Sequence, residues 1–95
     1  MSASDEETEN KMTTAEEIKA RAREVMAREL PEDYDPNVKD DEPLLSEGGV
    51  DSLGFIHVLT ILEAEFNAHV PDEEWWDAGS LDDLAEVILR NQQQE

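Results

Sequence analysis

The sequence predicts an all-α fold: a four-helix bundle of three longer helices and a short third, with a long loop between helices 1 and 2. Three observations carry this prediction. Capping residues stand ahead of each longer apolar run, at Thr14, Asp51 and Ser80. Behind those caps the apolar residues recur at helical spacing, not at the alternate positions of a strand, and no internal repeat is present. At 95 residues the chain has room for one small domain. Such a domain buries only about 60–65% of the surface its unfolded chain exposes, which argues against a large enclosed active site.

Taken in order, residues 1–13 are polar and acidic and read as a disordered arm, residues 14–90 as the folded domain, and residues 91–95 as a disordered tail. Helix 1 starts at Thr14, which forms a capping box with Glu17, and stops at Leu30 because Pro31 cannot continue it. Its buried stripe is Ile18, Ala22, Val25 and Leu30. Residues 31–51 form a loop punctuated by Pro36 and Pro43 and ending in Gly48 and Gly49; loops of that length inside a small domain are usually functional. Helix 2 runs from Ser52 to Phe66, with Asp51 as its N-cap and Asn67 as a left-handed stop. At 100° per residue, Phe55, Val58, Leu59, Leu62 and Phe66 face the core, while Leu53, Ile56 and Thr60 fall on another side. A short helix 3 follows Pro71, with Asp72, Glu73 and Glu74 at its positive end. Helix 4 is capped by Ser80 with Asp83, buries Leu81, Leu84, Val87 or Ile88, and carries Arg90 at its carboxyl end.

The chain holds 26 acidic and 7 basic side chains, a formal net charge of -19. That field repels nucleic acid and anionic membrane surfaces and attracts basic protein patches. It is uneven. Over residues 14–30 the charges cancel, whereas residues 31–51 hold eight acids against one base and residues 52–95 hold ten against one. The most apolar stretch, residues 55–62, is too short for a bilayer and the first residues lack a basic, apolar leader, so the expected compartment is the cytoplasm. There is no cysteine, which leaves no disulfide framework and no thiolate metal site. The clusters Asp40-Asp41-Glu42 and Asp72-Glu73-Glu74 read as solvated faces, and no metal site is expected.

Ser52 is the chemically suggestive residue. A serine that opens a helix after a Gly-containing loop holds its hydroxyl at the positive end of the helix dipole, where a phosphodiester is favourably placed. By itself a serine beside an aspartate at a helix start reads first as an ordinary cap. The surroundings add to it: Leu44-Leu45 ahead of Gly49-Val50-Asp51-Ser52-Leu53, then Leu62-Glu63-Ala64-Glu65-Phe66, Val70-Pro71-Asp72-Glu73 and Ser80-Leu81-Asp82-Asp83-Leu84. In these features the sequence resembles the acyl and peptidyl carrier protein family over nearly all of residues 14–90. The resemblance implies that a phosphopantetheinyl transferase moves a 4'-phosphopantetheine arm from coenzyme A to Ser52 with Mg²⁺. Acyl groups would then ride on the arm's thiol as thioesters, which explains how a chain without cysteine can do thiol chemistry. Asp51 would be the acidic neighbour met by the transferase and its metal.

The same resemblance implies a free-standing, monomeric carrier that is not an enzyme and has no catalytic residues. Its partners would be the transferase, an acyl- or aminoacyl-loading ligase and a downstream synthase, each with a basic surface. Leu53 and Ile56, apolar yet off the core stripe, and Thr60 beside them are assigned to partner docking; the alternative is a helix buried on two sides. Carriers for fatty acid synthesis usually hold acids just after the serine, where this chain has Gly54 and His57. That points to a specialised polyketide, peptide or aminoacyl pathway over a general fatty-acid one. Gly54 also weakens its helix by about 0.5–1 kcal/mol relative to Ala. Trp75 and Trp76 stand where the family often has smaller side chains and are expected to narrow the space for a long acyl chain.

Two readings fail on the residues. A hydrolase built on Ser52 would need a base and oxyanion donors on a larger scaffold, and His57 and His69 are the only histidines. A calcium loop over Asp33, Asp35, Asn37 and Lys39 lacks the central Gly and the closing Glu. An unmodified adaptor that binds a basic partner through the same helix is compatible with every residue named.

Overall fold

The computed structural model describes residues 13–45, 47, 49–75 and 77–92, and the four expected helices form in it in the expected order. Helix α1 spans Ala15–Glu29, α2 Ser52–Glu65, α3 Asp72–Trp75 and α4 Leu81–Arg90. No strand forms among the described residues; an isolated antiparallel bridge joins Ala68 to Gln92. The expected arm over residues 1–12 and the last three residues of the expected tail lie outside the described residues, as do Ser46, Gly48 and Trp76.

Each boundary has a local cause. Thr14 Oγ1 accepts from the Glu17 N–H at 3.1 Å and Glu17 Oε1 accepts from the Thr14 N–H at 3.1 Å, a complete capping box. Asp51 Oδ1 accepts from the Gly54 N–H at 2.7 Å, and Ser80 Oγ accepts from the Asp83 N–H at 3.2 Å. After α2 the chain reverses at Asn67, whose φ of 53° is left-handed.

Helix α1 packs against both α2 and α4. Ile18, Ala22, Val25 and Met26 of α1 meet Phe55, Val58, Leu59 and Leu62 of α2 and Leu81, Leu84, Ala85, Val87 and Ile88 of α4 in one buried cluster. Each Leu or Ile buried there contributes about 1.5–3 kcal/mol of transfer free energy. The α1 stripe differs from the expected one at its end. Met26 is buried and Leu30 is only half-buried, because Leu30 has already left helical geometry at φ -128°, ψ 53°.

The loop over residues 31–51 is not structureless. Tyr34, Val38, Leu44 and Val50 are buried and anchor it to the core. Its backbone is tied down where Leu44 N–H donates to Gly79 O (2.8 Å) and Asp82 N–H to Asp40 O (3.0 Å). Two cations on one face of α1, four residues apart, complete the attachment. Lys19 Nζ reaches Glu16, Asp40 and Asp82 at 3.2, 3.1 and 2.9 Å, and Arg23 Nη2 reaches Asp40 Oδ1 at 2.8 Å. The near-neutral helix of the sequence is thus the one that holds the acidic loop.

Residues 13, 91 and 92, which the sequence places in the arms, are tied to the bundle. Gln92 Nε2 donates to Thr13 Oγ1 (3.2 Å) and Phe66 O (2.9 Å), and Asn91 Nδ2 donates to Glu74 Oε1 (2.9 Å).

Asp40 makes stability depend on acid. The hydrogen bond from Arg23 and then that from Lys19 hold its carboxyl below the ordinary value. A carboxylate whose pKa is lowered by folding stabilises the fold above its unfolded value of about 4 and loses that contribution as pH falls through the folded value. Helical ellipticity followed against pH should therefore fall below about pH 4. Asp40→Asn should lower the thermal midpoint at pH 7 and make it less sensitive to acid; an unchanged acid limb would remove Asp40 as a cause.

Candidate functional site

Ser52 is the first residue of α2 and is exposed, with its hydroxyl at the positive end of a 14-residue helix. The chain is brought there by two neighbours of opposite character. Val50 is buried at 1% exposure, and its N–H donates to Leu44 O at 3.1 Å. Gly49 has φ 76°, and a Cβ on it would lie 2.2 Å from the Asp33 carbonyl oxygen, so the turn requires glycine for both conformation and space. Asp51 is exposed, yet its carboxylate is engaged across the first turn by the Gly54 N–H. That fixes the direction in which the residue beside the serine points.

Gly54, where an acid would be expected in a fatty-acid carrier, is buried. A methyl there would lie 3.1 Å from Asp51 Oδ1 and 3.1 Å from both methyls of Leu30. The missing side chain lets the end of α1 close over the first turn of α2. His57 is the other departure. Its Nε2 lies 3.1 Å from Glu29 Oε1, and this contact, followed by Arg28, holds the Glu29 carboxyl below the usual range. His57 therefore joins α2 to the last turn of α1.

Leu53 is 78% exposed, Ile56 half-buried and Thr60 exposed, its hydroxyl donating to Ile56 O at 2.9 Å. Spacings of three and four residues put all three, with Ser52, along one side of α2. Leu45, 43% exposed, stands on the loop segment that the Leu44–Val50 hydrogen bond draws alongside the start of α2. Trp75 is half-buried against the core, with its Nε1–H donating to Val70 O at 2.9 Å. Its expected companion, Trp76, lies outside the described residues.

Arg23 and Tyr34 were not singled out by sequence. Arg23 Nη1 donates to Tyr34 Oη (3.1 Å) and Pro36 O (3.5 Å), and Nη2 donates to Val38 O (2.8 Å) as well as to Asp40. The only sequence signal was the four-residue spacing of Lys19 and Arg23 ahead of an acidic loop, and it reads as simple charge balance.

A small helical bundle that holds one exposed serine at a helix start, flanked by exposed leucines, has the form of a carrier domain. The chain matches the family model for a phosphopantetheine attachment site over residues 17–88, most of its length, and it belongs to that family. Domains of this family carry a covalently attached 4'-phosphopantetheine and act as carrier proteins that meet a phosphopantetheinyl transferase and synthase enzymes. An exposed hydroxyl at the dipole-favoured end of a helix is a chemically suitable acceptor for the arm's phosphodiester. Among the described residues no helix is long and apolar enough to cross a membrane.

Proposed function

We propose that this protein is a carrier that bears 4'-phosphopantetheine on Ser52 and presents thioester-bound acyl or aminoacyl groups to the enzymes of a specialised biosynthetic pathway. The observation that carries the proposal is the exposed Ser52 hydroxyl at the start of α2, inside the family match. In the loading step the serine oxygen forms a bond to the phosphorus that carries the pantetheine, and the pyrophosphate P–O bond of coenzyme A breaks. 3',5'-ADP leaves, and the serine proton passes to a base of the transferase. Asp51 would be the acid that meets the transferase and its Mg²⁺, and its carboxylate accepts from the Gly54 N–H. The arm supplies a thiol on a long tether, which raises the effective concentration of its cargo at each partner. The domain itself catalyses nothing in this scheme.

Leu53, Ile56 and Thr60 would form the docking strip. Its composition supports a dedicated carrier: residues 52–62 contain no acid, Gly54 is covered by Leu30, and His57 is turned to Glu29. Partners would therefore meet a nearly uncharged helix set beside a strongly acidic loop.

The test is incubation with coenzyme A, Mg²⁺ and a broad-specificity transferase, followed by intact mass measurement. The expected result is a gain of one phosphopantetheine that is lost in Ser52→Ala. No gain with a transferase that loads a control carrier would favour an unmodified adaptor.

A further inference from the structure

The geometry points to Arg23 as a positioning residue for Ser52, acting through the turn at residues 30–34 and without touching the serine; the inference rests on the assignment of the arm to Ser52. That turn supports the start of α2 at two places. Its Asp33 carbonyl lies against the Cα of Gly49, three residues before Ser52, and its Leu30 methyls lie against Gly54, two residues after. Both contacts fall on glycines: at Gly49 backbone rests directly on backbone, and at Gly54 the helix backbone rests on the Leu30 side chain. Displacement of the turn would withdraw support from the backbone on both sides of the serine, most directly at Gly49.

Arg23 adds polar anchors to a turn that is otherwise held by a few backbone bonds and by the burial of Tyr34. The backbone bonds are Leu30 N–H to Met26 O at 2.8 Å, Asp33 N–H to Leu30 O at 3.2 Å and Tyr34 N–H to Leu30 O at 2.9 Å. Arg23 adds the Tyr34 hydroxyl, the carbonyls of Pro36 and Val38 and the Asp40 carboxylate, acceptors spread over seven residues of the loop. The rigid fork of a guanidinium holds its acceptors in fixed directions, whereas the donors of a lysine ammonium rotate. A reaction at the Ser52 oxygen is sensitive to such placement, since a misplacement of about 1 Å can cost on the order of 100-fold in rate.

The test measures arm transfer from coenzyme A under steady state for the parent chain, Arg23→Gln, Tyr34→Phe and Arg21→Gln. Arg21 lies on the same helix and pairs with Glu65 at 2.6 Å and Glu24 at 2.9 Å, toward the far end of α2, so its variant controls for the loss of an ion pair. Arg23→Gln should lower kcat about tenfold with KM for coenzyme A unchanged, Tyr34→Phe should lower it less, and Arg21→Gln should leave it as it was. Ellipticity at the assay temperature checks that each variant is folded, and Tyr34→Phe carries the test if Arg23→Gln is not. In the unmodified chain the amide resonances of Gly49 and Gly54 should shift in Arg23→Gln and stay in Arg21→Gln. Equal slowing by the Arg21 and Arg23 variants, or no shift at either glycine, would overturn the positioning role. Failure of the parent chain to accept any arm would sink the Ser52 assignment instead, while the resonance shifts would still decide whether Arg23 holds the turn.

Discussion

Gly49→Ala should lower the thermal midpoint of this domain by about 10 °C or more. Two penalties fall on one methyl group. Left-handed backbone at φ 76° costs an L-residue roughly 1–2 kcal/mol, and the new Cβ would stand 2.2 Å from a backbone oxygen that cannot rotate away. Together they put the loss at about 2–4 kcal/mol, within the range of strained-backbone substitutions, and each kcal/mol is worth about 4–8 °C in a domain of this size. Gly79→Ala is the internal control. A Cβ there meets nothing within 4 Å and its φ is not left-handed, so the effect should stay within about 1 kcal/mol. Scanning calorimetry of both variants decides the matter, and a midpoint shift for Gly49→Ala no larger than for Gly79→Ala would show that the turn yields without strain.

Leu62→Ala should be among the most damaging truncations on α2. Leu62 is fully buried in the cluster shared with α1 and α4. Emptying such a site costs about 2–5 kcal/mol, the spread reflecting how far the surroundings collapse. Small domains have only about 0.05–0.15 kcal/mol per residue in hand, so the variant is left marginal. Urea titration should show a much lower midpoint with an unchanged slope. Leu53→Ala makes the contrast on the same helix. At 78% exposure its truncation should change stability by no more than about 0.5 kcal/mol, so any loss of partner binding it causes can be read as function. A large stability loss for Leu53→Ala would return Leu53 to the core.

Local chemistry made most of the helices legible. Thr14 with Glu17, Asp51 and Ser80 each start a helix through hydrogen bonds within a few residues, and the expected boundaries match those observed to within one residue. Helix α4 was plain because its apolar and charged sides are sharply separated. Helix α2 was harder, since Leu53, Ile56 and Ile61 lie off the core stripe and a helix apolar on several sides reads as one buried on several sides. Packing resolved it: α1 covers one side, leaving Leu53 out and Ile56 half-covered.

The loop over residues 31–51 was the least legible part, because its order comes from distant partners. Nothing in the spacing of Tyr34, Val38 and Asp40 says that one arginine on α1 gathers them, or that Gly49 rests on Asp33. Likewise His57 reads as a lone surface histidine until α1 brings Glu29 to it. By itself, then, the sequence determined the four helices and their caps, which rest on propensity, periodicity and contacts a few residues apart, and the acidic field, which is composition; Ser52 stood out through the family resemblance of the segments around it. Only the tertiary structure decided which side of α2 is open and how Ser52 is held, because both depend on where residues of different helices and of the long loop come to lie against one another.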